Sequence, residues 1–257
     1  MSNLKERLQS KPRTCPILRS LSDSQYDFAI RQGRRAGIDM MLCPVCHQNP
    51  EQPEQHVNHD CIFERTVQRH LLAANVPALF TQFDWAERSL TELTAIADEY
   101  IDDLQANVEA GLSIVMLSPS RGAGKTTAAC EILERGIREG FSAYALKFND
   151  LLDLHMREDA EERMEWLLDC DLLLIDEVRK PRTEAQHDHF EQQLGELVDA
   201  RYSACKSMFI TGNIGKLEFE EAYESSYSRL TECAHFADVP GENFRPMAGQ
   251  RRLARGL

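Results

Sequence analysis

No apolar run in this chain approaches the ~20 residues that a helix needs to span a bilayer, so a membrane-spanning reading is excluded. The opening residues, Met1-Ser2-Asn3-Leu4-Lys5-Glu6-Arg7, lack the apolar core of a secretory signal, and a cytoplasmic protein is expected. No stretch repeats and no tract is of low complexity, which excludes solenoids, propellers and fibrous arrays. The 8 cysteines do not suggest a disulfide scaffold in a chain of 257 residues. In a reducing compartment closely spaced cysteines are more often metal ligands.

Apolar residues make up 42% of the chain, enough for a sizeable core, and the length allows one large domain plus a small one. A net charge of −13 argues against nucleic acid as a partner only if it is evenly spread, and it is not. Residues 1–35 hold eight Lys/Arg against three Asp/Glu, and the tail from Arg251 to Leu257 adds three arginines and no acid. The middle is acidic, notably Arg157-Glu158-Asp159-Ala160-Glu161-Glu162, which reads as a solvated helix face.

The most informative stretch is Ile114-Val115-Met116-Leu117-Ser118-Pro119-Ser120-Arg121-Gly122-Ala123-Gly124-Lys125-Thr126-Thr127. An apolar strand, a glycine-containing loop and Lys-Thr opening a helix form the order a P-loop needs. Gly122 and Gly124 have no Cβ, so backbone N–H groups around Ala123 can close on a phosphate chain, and the helix beginning near Gly124 turns its positive end to the same anion. Lys125 reaches the β- and γ-phosphates in such a loop, and the Thr126 hydroxyl ligates Mg²⁺. One departure is Pro119, which stands where the full pattern has glycine and donates no N–H.

A second motif, Asp171-Leu172-Leu173-Leu174-Ile175-Asp176-Glu177, follows about fifty residues later. An apolar run ending in two carboxylates reads as a buried parallel strand with its ligand-facing end charged. Asp176 is placed to hold Mg²⁺, directly or through water, and Glu177 to polarise an attacking water. From residue 113 onward strands and helices alternate, which implies a parallel sheet covered on both faces. Strands are expected at 113–118, 142–148, 171–176, 206–212 and 234–239, and helices at 124–139, 149–168, 184–203, 216–224 and 226–232. Upstream, helices are expected at 63–75, ending at Asn75-Val76-Pro77, and from Ser89 to Gly111. Asn213 ends the fourth strand with an amide able to orient a lytic water, or merely to cap the chain. Arg229, in Ser226-Tyr227-Ser228-Arg229-Leu230, is a candidate to act on a neighbouring subunit's γ-phosphate.

Cys43-Pro44-Val45-Cys46 can hold one Zn²⁺ from a single turn. Cys61 is the third candidate ligand and His59 the fourth, with His56 and His47 as competitors. Four protein ligands would make the site structural. Cys15, Cys130, Cys170, Cys205 and Cys233 are scattered and read as buried small apolar residues.

Taken in order, these motifs resemble the DnaC/DnaI/IstB-type subgroup of AAA+ ATPases, the bacterial and phage replicative helicase loaders. The resemblance runs over about residues 63–248 and includes the Asn75-Val76-Pro77 entry, the P-loop, Phe148-Asn149-Asp150-Leu151-Leu152, Asp171–Glu177, Val198-Asp199-Ala200-Arg201-Tyr202, Asn213, Ser228-Arg229-Leu230 and Gly241-Glu242-Asn243-Phe244-Arg245. The cysteine-rich segment ahead of it is similar to the DnaI branch. The resemblance implies a P-loop fold with a parallel five-stranded sheet between helices, no C-terminal lid domain, and a small zinc-binding helical module in front. The implied division is a partner-binding module at 1–74 with the zinc site at 43–61, an ATPase domain at 75–248 and a basic tail at 249–257. It implies an ATPase using ATP and Mg²⁺, with Asn213 as first sensor, Arg229 as trans-acting finger and Arg245 as a second arginine near the phosphates.

The implied partners are a replicative hexameric DNA helicase, single-stranded DNA along the helix after Phe148, and further copies of the chain through the ATP-site interface. The basic loop Arg179-Lys180-Pro181-Arg182 is more charged than the family pattern and is a candidate for DNA backbone contact or for simple solvation. The rival readings are the transposition-helper branch of the same family, acting on duplex DNA, a non-enzymatic adaptor, and a metabolic P-loop kinase.

Overall fold

The computed structural model describes residues 20–49 and 60–239. The candidate ligands His59 and His56, Cys15, the Gly241–Arg245 motif and the basic tail lie outside the described residues. The chain divides into two compact units, Met1–Arg88 with Glu134–Ser142, and Ser89–Leu133 with Ala143–Leu257. Among the described residues no helix is long and apolar enough to cross a membrane.

The larger unit carries five parallel strands: β1 (Ser113–Leu117), β2 (Ala143–Lys147), β3 (Leu172–Val178), β4 (Ser207–Gly212) and β5 (Ala234–Asp238). Each coincides closely with an apolar run read from the sequence. β1 and β4 are buried along their whole length, as strands covered on both faces must be. The order across the sheet is β2-β3-β4-β1-β5. The helix α5 (Lys125–Arg138) leaves β1 and the chain returns at β2, beyond β4 and β3. The carboxyl ends of β1, β4 and β3 are therefore lateral neighbours, and this is the end of a parallel sheet where ligands gather. The core is built from Val115, Leu117, Leu146, Leu173, Ile175, Met208 and Ile210 of the strands with Phe148, Phe190, Leu194 and Phe219 of the helices and Tyr223 of a helix–helix junction.

Two expected helices are broken. The segment from Ser89 to Gly111 forms α3 (Glu92–Asp102) and α4 (Leu104–Glu109), because Asp103 leaves the helical region at φ −119° and ψ 35°. The Asn107 side chain donates to the Tyr100 carbonyl at 2.9 Å, satisfying an acceptor near the break. The span 149–168 forms α6 (Phe148–Leu152), a short 3-10 turn at Leu154–Met156 and α7 (Ala160–Asp169). The acidic run is the start of α7: Glu161 and Glu162 sit in its first turn, where the helix dipole favours them, and Asp159 accepts from Arg163 Nε at 2.6 Å. The remaining helices are α8 (Glu184–Ser203), α9 (Lys216–Ala222) and α10 (Glu224–Cys233).

The smaller unit contains two packed helices, α1 (Asp23–Arg35) and α2 (Cys61–Ala73), the loop after α1, the segment from Ala74 to Arg88, and the end of α5 with the turn that follows it. Ser22 and Gln25 form a capping box at the start of α1, and the Asp60 carboxylate accepts from the N–H groups of Ile62 and Phe63 to start α2. Ala29, Leu72 and Ala73 meet Leu21, Ile38 and Met40 in a small core. Arg138 bridges Glu64 with two bonds of 2.9 and 2.7 Å and also pairs with Glu134.

Candidate nucleotide site and cysteine cluster

The loop after β1 is anchored at its root by Ser118, whose N–H donates to the Gly212 carbonyl at 3.1 Å. The next N–H, that of Ser120, donates to Ser118 Oγ at 3.3 Å. Pro119 lies exposed between them. Gly122 and Gly124 adopt φ of +85° and +91°, a region L side chains avoid. Lys125, 7% exposed, donates from Nζ to the Ser118 and Ser120 carbonyls at 3.2 and 2.9 Å. Thr126 donates from Oγ1 to Asp176 Oδ1 at 2.8 Å. The two motifs read separately in the sequence thus meet through one hydrogen bond.

Asp176 is nearly buried, whereas the Glu177 side chain is half exposed and pairs with Lys147 Nζ at 3.3 Å. The β2–β3 register sets Lys147 beside Asp176, which explains the reach. Thr211 donates to Asp176 Oδ1 at 2.6 Å and accepts the Glu177 N–H at 3.1 Å. Neither Lys147 nor Thr211 stood out in the sequence. The available signal was position alone, a polar residue at the carboxyl end of a strand, two residues before Asn213 in the case of Thr211. Asn213 is exposed, and its N–H donates to the Val178 carbonyl at 3.2 Å, continuing the line of the acid pair's strand. Cys130 is buried, and burial and then the Asp176 charge push its thiol well above the ordinary range, so it is inert.

Arg229 lies on α10 and pairs with Asp199 of α8, and its Nη1 donates to the Ser225 carbonyl at 3.1 Å. The basic loop is largely engaged within the chain. The Arg179 guanidinium lies 5.3 Å from the Phe190 ring centre, and Lys180 faces Glu218 and Glu221 at 3.6 and 3.9 Å. α6 buries Phe148, Leu151 and Leu152, leaving Asn149 and Asp150 to solvent.

In the smaller unit the sulfurs of Cys43, Cys46 and Cys61 lie within 4.8 Å of one another, Cys46 and Cys61 at 3.6 Å. Asp60 fixes Cys61 as the first residue of α2, and the turn from Cys43 is closed by the His47 N–H to the Cys43 carbonyl at 2.9 Å. Three converging sulfurs at this spacing fit a thiophilic cation such as Zn²⁺. Burial and the neighbouring Cys46 and Cys43 sulfurs push the Cys61 thiol up to about 12, a cost that a bound cation reverses. Among the described residues His47 is exposed and does not join the cluster. The other cysteines correct the expectation in part. Cys130 and Cys170 are buried, but Cys205 is exposed and Cys233 half-buried.

A sequence model described as IstB-like ATP binding protein matches residues 56–248, well over half the chain. The chain belongs to this family. It is an ATP-binding ATPase of the IstB-like type, with the parallel five-stranded P-loop architecture described above. Among solved structures, the family fold is shared with a candidate primosome component from Streptococcus pyogenes serotype M3, at TM-score 0.52 and 15% identity over 66% of this chain and 92% of that one. A DNA replication initiation factor aligns at 0.50 and 14% identity, over 66% and 54% of the respective chains. The DnaC helicase loader aligns at 0.49 and 17%, over 61% and 93%. Identities this low speak to fold alone. No curated protein matches the chain.

Proposed function

We propose that this IstB-family ATPase loads the replicative hexameric DNA helicase onto single-stranded DNA in the cytoplasm, with ATP as its assembly and release switch. The observation that carries the reading is the pairing of a nucleotide unit with a separate small unit built around Cys43, Cys46 and Cys61. A switch needs something to hold, and the cysteine unit is the partner-binding element in this account. Zn²⁺ there stabilises the fold of that unit, with the fourth ligand assigned to His59.

In the nucleotide unit, backbone N–H groups of Gly122, Ala123 and Gly124 cradle the phosphates, Lys125 turns from its loop carbonyls to the β- and γ-phosphates, and Thr127 lies in the first turn of α5. Thr126 and Asp176 would hold Mg²⁺, which would neutralise charge on the phosphates. The bond from Thr126 Oγ1 to Asp176 Oδ1 supports this, because it sets a hydroxyl and a carboxylate side by side. Glu177 accepts a proton from the attacking water as its oxygen bonds the γ-phosphorus and the bond to the β-phosphate oxygen breaks, leaving ADP and phosphate. Asn213 orients that water.

Arg229 of a neighbouring copy, released from its own Asp199, completes the site. ATP therefore favours self-association, and hydrolysis loosens it. Single-stranded DNA is held by phosphate contacts near α6.

The second reading, a helper ATPase of a DNA transposase acting on duplex DNA, is favoured by the IstB-like description of the matching family. ATP turnover measured with single-stranded and with duplex DNA separates them. Stimulation by single strands supports the loader, and stimulation confined to duplex supports the helper.

A further inference from the structure

We propose that Thr211 is a positioning residue for ATP hydrolysis, its one hydroxyl setting both the Asp176 carboxylate and the backbone of Glu177. The proposal rests on the ATPase reading of this site and goes beyond the motifs that carry that reading.

A threonine hydroxyl has one proton to donate and two lone pairs. Here the proton goes to Asp176 Oδ1 at 2.6 Å and a lone pair accepts the Glu177 N–H at 3.1 Å. Both directions are therefore committed, to the two residues of the acid pair. Thr211 is 1% exposed and Asp176 8%, so these bonds act where water does not compete.

Glu177 is a non-glycine residue at φ +66°, and the β3–β4 register shifts between Ile175 and Val178. The acid pair thus sits on a bulge, where a strand's N–H loses its regular partner and a side chain is re-aimed. Thr211, on the neighbouring strand, supplies the partner the bulge removes. Strained backbone persists only where its surroundings over-determine it.

Lys147 also reaches Glu177, but that pair is 59% and 51% exposed and is screened by solvent. The buried hydroxyl, not the exposed ammonium, sets the direction in which Glu177 leaves the sheet. Asp176 Oδ1 accepts from Thr126 as well as from Thr211, so the same hydroxyl also fixes the carboxylate that faces the P-loop threonine.

The test is steady-state ATP hydrolysis by the full chain, with Lys125→Ala beside Thr211→Val and Thr211→Ser. For Thr211→Val the expectation is a kcat lowered about tenfold or more with the KM for ATP within about threefold, because the phosphate-holding loop is untouched. Half-activation by Mg²⁺ should shift to higher concentration in the same variant. Thr211→Ser, which keeps the hydroxyl, should recover kcat to within about threefold of wild type. If valine prevents folding, Thr211→Ala removes the same hydroxyl and carries the same expectation. A hydroxyl-free variant with wild-type kcat overturns the proposal, as does a serine variant as impaired as valine. Wild-type turnover in Lys125→Ala would instead overturn the ATPase reading of the site.

Discussion

The two units of this chain are held in different ways. The larger is a five-stranded parallel sheet whose central strands β1 and β4 are buried and whose core joins side chains from β1 to α10. The smaller has two packed helices, buried apolar residues that include Phe28, Ala29, Val67, Leu71 and Leu72, an ion cluster at Arg138, and three converging cysteines. Small units commonly add a metal to a limited core. The difference teaches that one unit derives its order from burial and can devote polar groups to chemistry. The other devotes its polar and sulfur groups to order.

The largest break in this contrast is Lys125→Ala. ATP turnover should fall by about a hundredfold or more in kcat/KM, with zinc content unchanged. Nucleotide binding and metal analysis on one preparation check both halves. Nearly as large, and on the opposite side, is Cys46→Ser or a strong chelator. The smaller unit should lose the metal proposed for it and become open to proteolysis near α1 and α2, while basal ATP turnover stays within about twofold. Loss of turnover in step with zinc would erase the distinction between the units.

A third expectation sharpens the contrast within the larger unit. Arg201 is fully buried, donating to the carbonyls of Leu167 and Cys170 at 2.7 and 3.0 Å and of Ser207 at 2.7 Å. Burial pulls its pKa below the ordinary value, yet these carbonyls hold the charge at the end of α7 and the start of β4. Arg201→Leu leaves them unpaired and should lower stability by about 3 kcal/mol, seen as an earlier melting transition without altered zinc content. Smallest is Lys180→Ala. Its pairs with Glu218 and Glu221 are about half exposed, and stability should move by less than about 0.5 kcal/mol. Unchanged DNA-stimulated turnover in the same variant would assign this loop to surface pairing.

How much of this was legible in sequence also follows the contrast. All five strands, the P-loop and the acid pair could be read, because buried strands demand apolar runs and phosphate chemistry demands Gly, Lys, Thr and carboxylates at fixed spacing. Cys43 and Cys46 were legible by their spacing, and Cys61 joined them. The break at Asp103 was not, since it depends on the side chain of Asn107 finding the Tyr100 carbonyl. The break before α7 was hidden because an acidic run is compatible with a helix face and with a helix start. Thr211 and Lys147 matter through lateral strand order, β2-β3-β4, and nothing in a linear chain states which strands are neighbours. The exposed Cys205 was misread because cysteine composition carries no information on which face it occupies.

The most direct test of the loader account is co-elution of this protein with the replicative helicase of its own host, with and without ATP and Mg²⁺, using Glu177→Gln to hold the ATP-bound state. The account predicts a complex that is tighter in the ATP-held variant and that weakens when ATP is hydrolysed. Absence of a complex in every nucleotide state, together with binding to duplex DNA, would contradict it and assign the chain to the transposition-helper role.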